Sequence, residues 1–141
     1  MILGIGTDII EVERVERLHR LHGDRFLRLC FTDAEQAYAA ARKNVGQHLA
    51  ARFAAKEAVM KALGTGWGRG VRWRDIDVTR KPGEAPRVEL AGGAARRARA
   101  LGVTRVHLSI SHLRGEAMAF AVAEGEAPKP LRARKRARPR I

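Results

Sequence analysis

Apolar positions recur three and four apart at Val12, Val15 and Leu18, with Glu11, Glu13, Arg14, Glu16 and Arg17 on the remaining face. That spacing predicts an amphipathic helix. Ahead of it, Ile2, Leu3 and Ile5, punctuated by Gly4 and Gly6, predict a short strand ending near Asp8. Thr32 followed by Glu35 is a capping-box signature and opens a second helix through about Ala41. From about Val45 to Leu63 the chain is apolar almost all the way round, which predicts a long helix that is largely buried. At roughly 100° per residue, Arg52 and Lys56 fall on one charged strip of it and Glu57 and Lys61 on another. Gly64, Gly66, Gly68 and Gly70 end that helix and form a flexible loop.

Ile76 to Thr79 and Arg87 to Leu90 read as strands joined by a turn at Pro82-Gly83. Ala94 to Leu101 is a short helix stopped by Gly102, and Val106 to Ile110 with Ala117 to Ala123 forms a closing hairpin around Arg114-Gly115. Strands and helices interleave without a regular βαβ repeat, so the expected class is α+β, one long central helix against a small antiparallel sheet. There is no internal repeat. At 141 residues the chain is long enough for one core and too short for two. Pro128, Pro130 and Pro139 among arginines mark residues 126–141 as a basic, disordered tail, leaving 1–125 as the folded domain.

The formal charge is +13, of which +6 falls in residues 125–141 and +7 in the rest. A body that is basic without its tail favours an acidic partner, and the sign alone does not choose among nucleic acid, anionic membrane, phosphorylated ligand and acidic protein. Cys30 is the only cysteine, which excludes an internal disulfide and a cysteine-based zinc site, and its FLRLCF setting predicts a buried thiol. No stretch approaches the ~20 apolar residues of a membrane span. The N-terminus lacks the basic region of a signal peptide, so a soluble, cytoplasmic protein is expected.

A carboxylate on a buried helix needs a partner or a metal, which singles out Glu57. With Asp8 at the end of a strand, where Gly4 and Gly6 let a ligand approach the backbone, Glu57 could bind magnesium, an ion that takes one or two protein carboxylates plus phosphate oxygens and water. Lys61, one turn beyond Glu57, could then meet a phosphate as a point charge. The same spacing is equally that of an i,i+4 ion pair with Asp8 as a helix cap, and spacing leaves both open. GTGWGRG is not a P-loop, since GxxxxGK[ST] is absent and its glycines follow a helix instead of opening one. Ser109-Ile110-Ser111-His112 is not a Ser–His nucleophile pair, because Ser111 and His112 point to opposite faces of a strand and no GxSxG elbow exists. His19, His22, His48 and His107 show no metal-ligand spacing.

Taken in order, GIGTDIIEVERVER from Gly4, FTDAEQ from Phe31, HLAARFAAKEAVMKALGTG from His48, DIDV from Asp75 and LSISH from Leu108 resemble the holo-[acyl-carrier-protein] synthases, the small phosphopantetheinyl transferases. The likeness covers about residues 1 to 124. It implies transfer of 4′-phosphopantetheine from coenzyme A to a serine of apo acyl carrier protein, releasing 3′,5′-ADP, for fatty acid biosynthesis. Asp8 and Glu57 match the carboxylates that hold Mg2+ against the coenzyme A pyrophosphate, and Lys61 matches the lysine that stabilises the transition state or leaving group. Arg52, Gly64, Thr65, Gly66, Pro86, Ser109 and His112, along with Lys61, match segments lining the coenzyme A cleft. Arg14 matches an arginine that meets the acidic helix of the carrier protein, which gives the basic body a purpose. The resemblance also implies a homotrimer with active sites at subunit boundaries.

The tail departs from the family pattern, whose members commonly stop near the last strand. Two other classes compete with this one. A nucleic-acid-binding module suits the charge, but 5% aromatic content and the lack of any RNA-recognition, zinc-finger or basic-zipper signature count against it, apart from nonspecific contact through the tail. A structural trimer with a decayed site does not explain why Asp8, Glu57 and Lys61 are all present.

Overall fold

The apolar helix at the centre of the sequence is also the centre of the structure, a computed structural model that describes residues 1–130. In chain order the elements are β1 (Ile2–Glu11), α1 (Val12–His22), α2 (Asp24–Cys30), α3 (Asp33–Ala40), α4 (Val45–Ala62), a 3-10 turn (Trp73–Asp75), β2 (Ile76–Thr79), β3 (Arg87–Leu90), α5 (Gly92–Leu101), β4 (Val103–His112) and β5 (Glu116–Gly125). The class is α+β, as the interleaving predicted. Of the tail expected from 126 to 141, residues 131–141 lie outside the described residues.

β1, β5 and β4 form an antiparallel sheet in that order, and β2 pairs with β3 as a separate hairpin. α4 lies across one face of the larger sheet. Alternation on β5 decides which face: Ala117, Ala119, Ala121 and Ala123 are buried under α4, while Met118 and Phe120 point away from it and are exposed. Small side chains on the inner face let the helix come close. The closest approach is at β1, where a Cβ on Gly4 would sit 1.9 Å from the Ala62 carbonyl oxygen and one on Gly6 the same distance from that of Ala58. These two glycines therefore admit the helix backbone, not a ligand as the sequence had suggested. β1 also runs three residues beyond the predicted end at Asp8, pairing with β5 as far as Glu11↔Glu116.

Ala50, Ala54, Ala55, Ala58, Val59 and Met60 have no exposed surface, and Phe31, Leu49, Leu63 and Ile76 extend the core around them. α2 escaped the sequence reading. It buries only Phe26 and Cys30, whose thiol burial pushes up to about 11. Among the described residues no helix is long and apolar enough to cross a membrane.

Candidate active site

Asp8 lies in the middle of β1, opposite the buried Ala119, so its carboxylate points to the α4 side of the sheet. Gly6 docks the strand against Ala58, and that fixes which turn of the helix Asp8 meets. It meets Lys61, whose Nζ donates to Asp8 Oδ1 at 3.2 Å and to the Thr7 carbonyl at 2.8 Å. The lysine side chain is 52% exposed and that of Asp8 18%, so the pair opens to solvent from the helix side. One turn back, the partly buried Glu57 accepts a 2.7 Å hydrogen bond at Oε1 from the indole nitrogen of Trp73. The structure thus assembles Asp8, Lys61 and Glu57 along the β1–α4 seam, with Trp73 as a fourth member that the sequence did not suggest.

Trp73 is fixed from several directions. Its ring packs between Phe53 at 5.8 Å and Trp67, stacked at 5.1 Å. Its carbonyl accepts a 2.9 Å hydrogen bond from Lys56 Nζ, which also donates to the Ile76 carbonyl at 2.7 Å. Lys56, set by helical spacing on one charged strip with Arg52, turns inward to a different partner. It is fully buried and its ammonium meets Glu35 Oε2 at 2.8 Å. Burial, against the pull of the partner charge, raises the Glu35 pKa and lowers that of Lys56. Half of the predicted capping box forms, the Glu35 amide donating to Thr32 Oγ1 at 3.2 Å. The Glu35 carboxylate does not turn back to Thr32; its Oε1 accepts from the Val78 amide at 3.1 Å.

The first half of α4 carries a second, cationic group. Arg52 is buried, and its guanidinium lies 3.8 Å from the ring centre of Tyr38, with that of Arg42 at 3.2 Å from the same ring. Arg52 Nε has no hydrogen-bond partner among the described residues. His48 meets Tyr38 edge-on at 5.6 Å, and its pKa is lowered by burial and then by the charges of Arg52, Arg42, His112 and Arg80. His112 reaches this group from β4, its Nδ1 lying 2.8 Å from Gln47 Nε2. Two guanidinium groups sharing one aromatic ring, with no carboxylate paired to either among the described residues, suit an anionic ligand. At the other end of α4, Gly64 and Gly66 take φ of +70° and +59°, and the Thr65 amide donates back to the Met60 carbonyl at 3.1 Å. The Arg97 guanidinium donates to the Leu63 carbonyl at 3.0 Å and ties α5 to this turn.

Three expected site residues lie elsewhere. Ser109 sits opposite Phe120, on the sheet face turned away from α4. Pro86 lines a cavity of about 840 Å³ between β3, α5 and β4, with Arg87, Arg99 and Arg105 on its walls and neither Asp8 nor Glu57. Arg14 is exposed on α1. Tyr38 and Arg42 had no sequence signal of a role beyond ordinary helix composition, Glu35 carried only a capping signal and Lys56 only a place on a charged strip.

Asp8 and Glu57 are hard oxygen donors, partly open to solvent, and among the described residues no group of three or more His, Cys, Asp and Glu side chains converges to hold a metal. Two carboxylates fit an ion that keeps most of its coordination for substrate oxygens and water, as Mg2+ does, and do not fit a closed zinc cage.

A family model described as the 4′-phosphopantetheinyl transferase superfamily matches residues 4–121. The holo-[acyl-carrier-protein] synthase of Koribacter versatilis is 48% identical over 124 residues, covering 88% of this chain and 99% of the relative. Among solved structures, the synthase of Neisseria meningitidis aligns with a TM-score of 0.81 at 35% identity, over 88% of this chain and 99% of its own. That of Bacillus anthracis, solved in complex with CoA (3′,5′-ADP), aligns at 0.74 and 37% identity, over 89% and 99%.

Proposed function

The chain belongs to the holo-[acyl-carrier-protein] synthases of the 4′-phosphopantetheinyl transferase superfamily, and from that membership we propose a reaction for its β1–α4 seam. Coenzyme A is the donor, a serine of an acidic apo acyl carrier protein the acceptor, and 3′,5′-ADP the leaving product, in the service of fatty acid synthesis in the cytoplasm. The observation that carries the reading is the meeting of Asp8 and Lys61, one helical turn beyond Glu57, on two elements whose mutual position is set by backbone contact.

Asp8 and Glu57 would hold Mg2+. When bound, the ion neutralises the pyrophosphate of coenzyme A and so favours attack at its β-phosphorus. Lys61, half exposed and already paired with a carboxylate, acts as a charge that follows the phosphate oxygens, not as a base. The serine hydroxyl passes its proton to a water at the solvent-open seam, its oxygen bonds to the β-phosphorus, and the bond from that phosphorus to the bridging oxygen breaks, the oxygen leaving with 3′,5′-ADP. The guanidinium groups of Arg52 and Arg42 supply positive charge for a further phosphate of coenzyme A, with the His48 and His112 rings beside them. The turn at Gly64, Thr65 and Gly66 borders the seam at the far end of α4.

Ser109 and Pro86 join the site if it is completed by a second copy. The exposed outer sheet face, with Ile5, Ile9, Met118 and Phe120, supports a homotrimer packed through that face, which would put Ser109 at a subunit boundary. Arg14, with Arg17 and Arg20 also exposed on α1, offers an acidic carrier protein a cationic landing surface. Residues 1–125 carry the transferase, and removal of the basic tail after Gly125 leaves the turnover number nearly unchanged.

Intact mass spectrometry tests the reaction: apo acyl carrier protein is incubated with the full chain, coenzyme A and Mg2+, beside Glu57→Ala and a chelator control. A gain of one phosphopantetheine that needs both Glu57 and the metal is expected. No gain with the wild-type chain on an acidic carrier protein would refute the reading.

A further inference from the structure

We propose that Trp73 is a positioning residue that sets the metal selectivity of the site, by holding one oxygen of Glu57 so that the carboxylate offers a cation only the other. The inference rests on the assignment of Asp8 and Glu57 as cation ligands. The indole N–H bonds Glu57 Oε1 at 2.7 Å, a short distance for a nitrogen donor and one typical of a charge-assisted bond. An oxygen engaged by a donor this close has little freedom to enter a bidentate clasp. Oε2 is left as the coordinating atom.

The donor is unusually well anchored. Consecutive residues of α4 hold Trp73 at both ends, Lys56 through the backbone carbonyl and Glu57 through the indole. Lys56 is itself fixed by Glu35 and the Ile76 carbonyl in a region closed to water. The face of the ring is covered by Phe53 and Trp67. A carboxylate held this way keeps its rotamer before any cation arrives, as outer partners do for the ligands of a metal site. Asp8 is held more loosely, since Lys61 meets its Oδ1 at 3.2 Å from a half-exposed side chain that is free to turn to a phosphate. Glu57 is therefore the carboxylate presented as a single-oxygen donor.

That presentation has a chemical consequence. Mg2+ demands near-ideal octahedral geometry and takes one oxygen from each of one or two carboxylates, whereas Ca2+ takes six to eight oxygens and readily accepts a bidentate carboxylate. A Glu57 restricted to one oxygen supports the small octahedral ions Mg2+ and Mn2+ and withholds the extra donor that Ca2+ exploits. Removing the indole N–H releases Glu57 Oε1 and relaxes that discrimination.

The test uses the full chain with coenzyme A and no carrier protein, so that no turnover occurs. Mn2+ is the probe, its free form read by electron paramagnetic resonance, and it is displaced by Mg2+ or by Ca2+. Trp73→Phe keeps an aromatic ring against Phe53 and Trp67 and deletes the donor together with the pyrrole ring that carries it. In this variant Mn2+ affinity is expected to fall ~10-fold or more, and the ratio of Ca2+ to Mg2+ affinity to rise above that of the wild type. An unchanged ratio would overturn the inference and leave the carboxylate assignment standing. Failure of the wild-type complex to bind Mn2+ would overturn the assignment, and this inference with it. A second measurement needs no variant. Trp67 and Trp73 are the only tryptophans, so two indole N–H signals report on the site by nuclear magnetic resonance. Protection of the Trp73 signal from solvent exchange should persist when coenzyme A and Mg2+ are added, and loss of that protection would equally overturn the inference.

Discussion

Lys56 and Glu35 show how much of this site depends on charges that never touch solvent. Both side chains are fully buried, and together they pin α3, α4 and the segment leading into β2. Removing one member of a buried pair strands the other and costs about 3–5 kcal/mol. Lys56→Met is therefore expected to lose roughly that much stability at pH 7 in equilibrium urea unfolding. The pH dependence follows from Glu35, whose folded pKa burial raises above the ordinary 4.5. A group raised in the folded state stabilises when protonated: its contribution is present below 4.5 and lost as pH rises through the folded pKa. In Lys56→Met the opposing pull of the ammonium is gone, so the deficit should shrink as pH falls from neutrality toward 4.5, and a deficit that stays constant over that window would count against this account. None of this was visible in the sequence. Lys56 is four residues from Arg52 and reads as its neighbour on a strip, while its real partner is 21 positions away on another helix. Asp8, Glu57 and Lys61 could be picked out because a motif joins them, whereas Trp73 reads as one more aromatic residue before a strand.

At the scale of elements, the site is a property of the β1–α4 seam. A methyl group at Gly6 would lie 1.9 Å from the Ala58 carbonyl oxygen and 2.8 Å from the Ala62 nitrogen, both of them backbone atoms that no rotamer change can move aside. Gly6→Ala must therefore push the strand from the helix, at a cost of about 1–3 kcal/mol or more. Asp8 would move with the strand while Lys61 stayed with the helix, and a misplacement of ~1 Å in a catalytic group can cost ~100-fold in rate. A lower melting temperature together with a fall in kcat of that order is expected; a variant with wild-type values of both would show that the seam does not position the carboxylate. Periodicity found α1, α4, α5 and the β4–β5 hairpin because each is long enough to repeat its pattern. It missed α2, which has only seven residues. It also stopped β1 at Asp8, because a polar residue there resembles a strand end, when it is a strand residue whose side chain faces the seam.

At the scale of the whole molecule, the sheet has one dry face and one that a lone protomer leaves in water. Ile9 is 63% exposed and Phe120 44%, and cross-strand pairing puts Ile5 beside Val122, Thr7 beside Phe120 and Ile9 beside Met118 on this same face. Such an apolar patch on a basic, otherwise polar surface calls for a partner surface. In the proposed homotrimer a second copy packed there would bring Ser109 to a subunit boundary, whereas within one protomer it faces away from Asp8. Covering large apolar side chains is worth ~25 cal/mol per Å² of area removed from water, so a charge placed among them should dissociate the assembly without touching the core. Phe120→Glu is expected to elute as a monomer in size-exclusion chromatography with light scattering, to keep the wild-type circular dichroism spectrum, and to lose most of its transfer activity. If the variant instead stayed monomeric and fully active, the catalytic residues of one protomer would suffice. A variant still trimeric would place the subunit contacts on some other surface, and the exposed face of β1 and β5 would need a different partner.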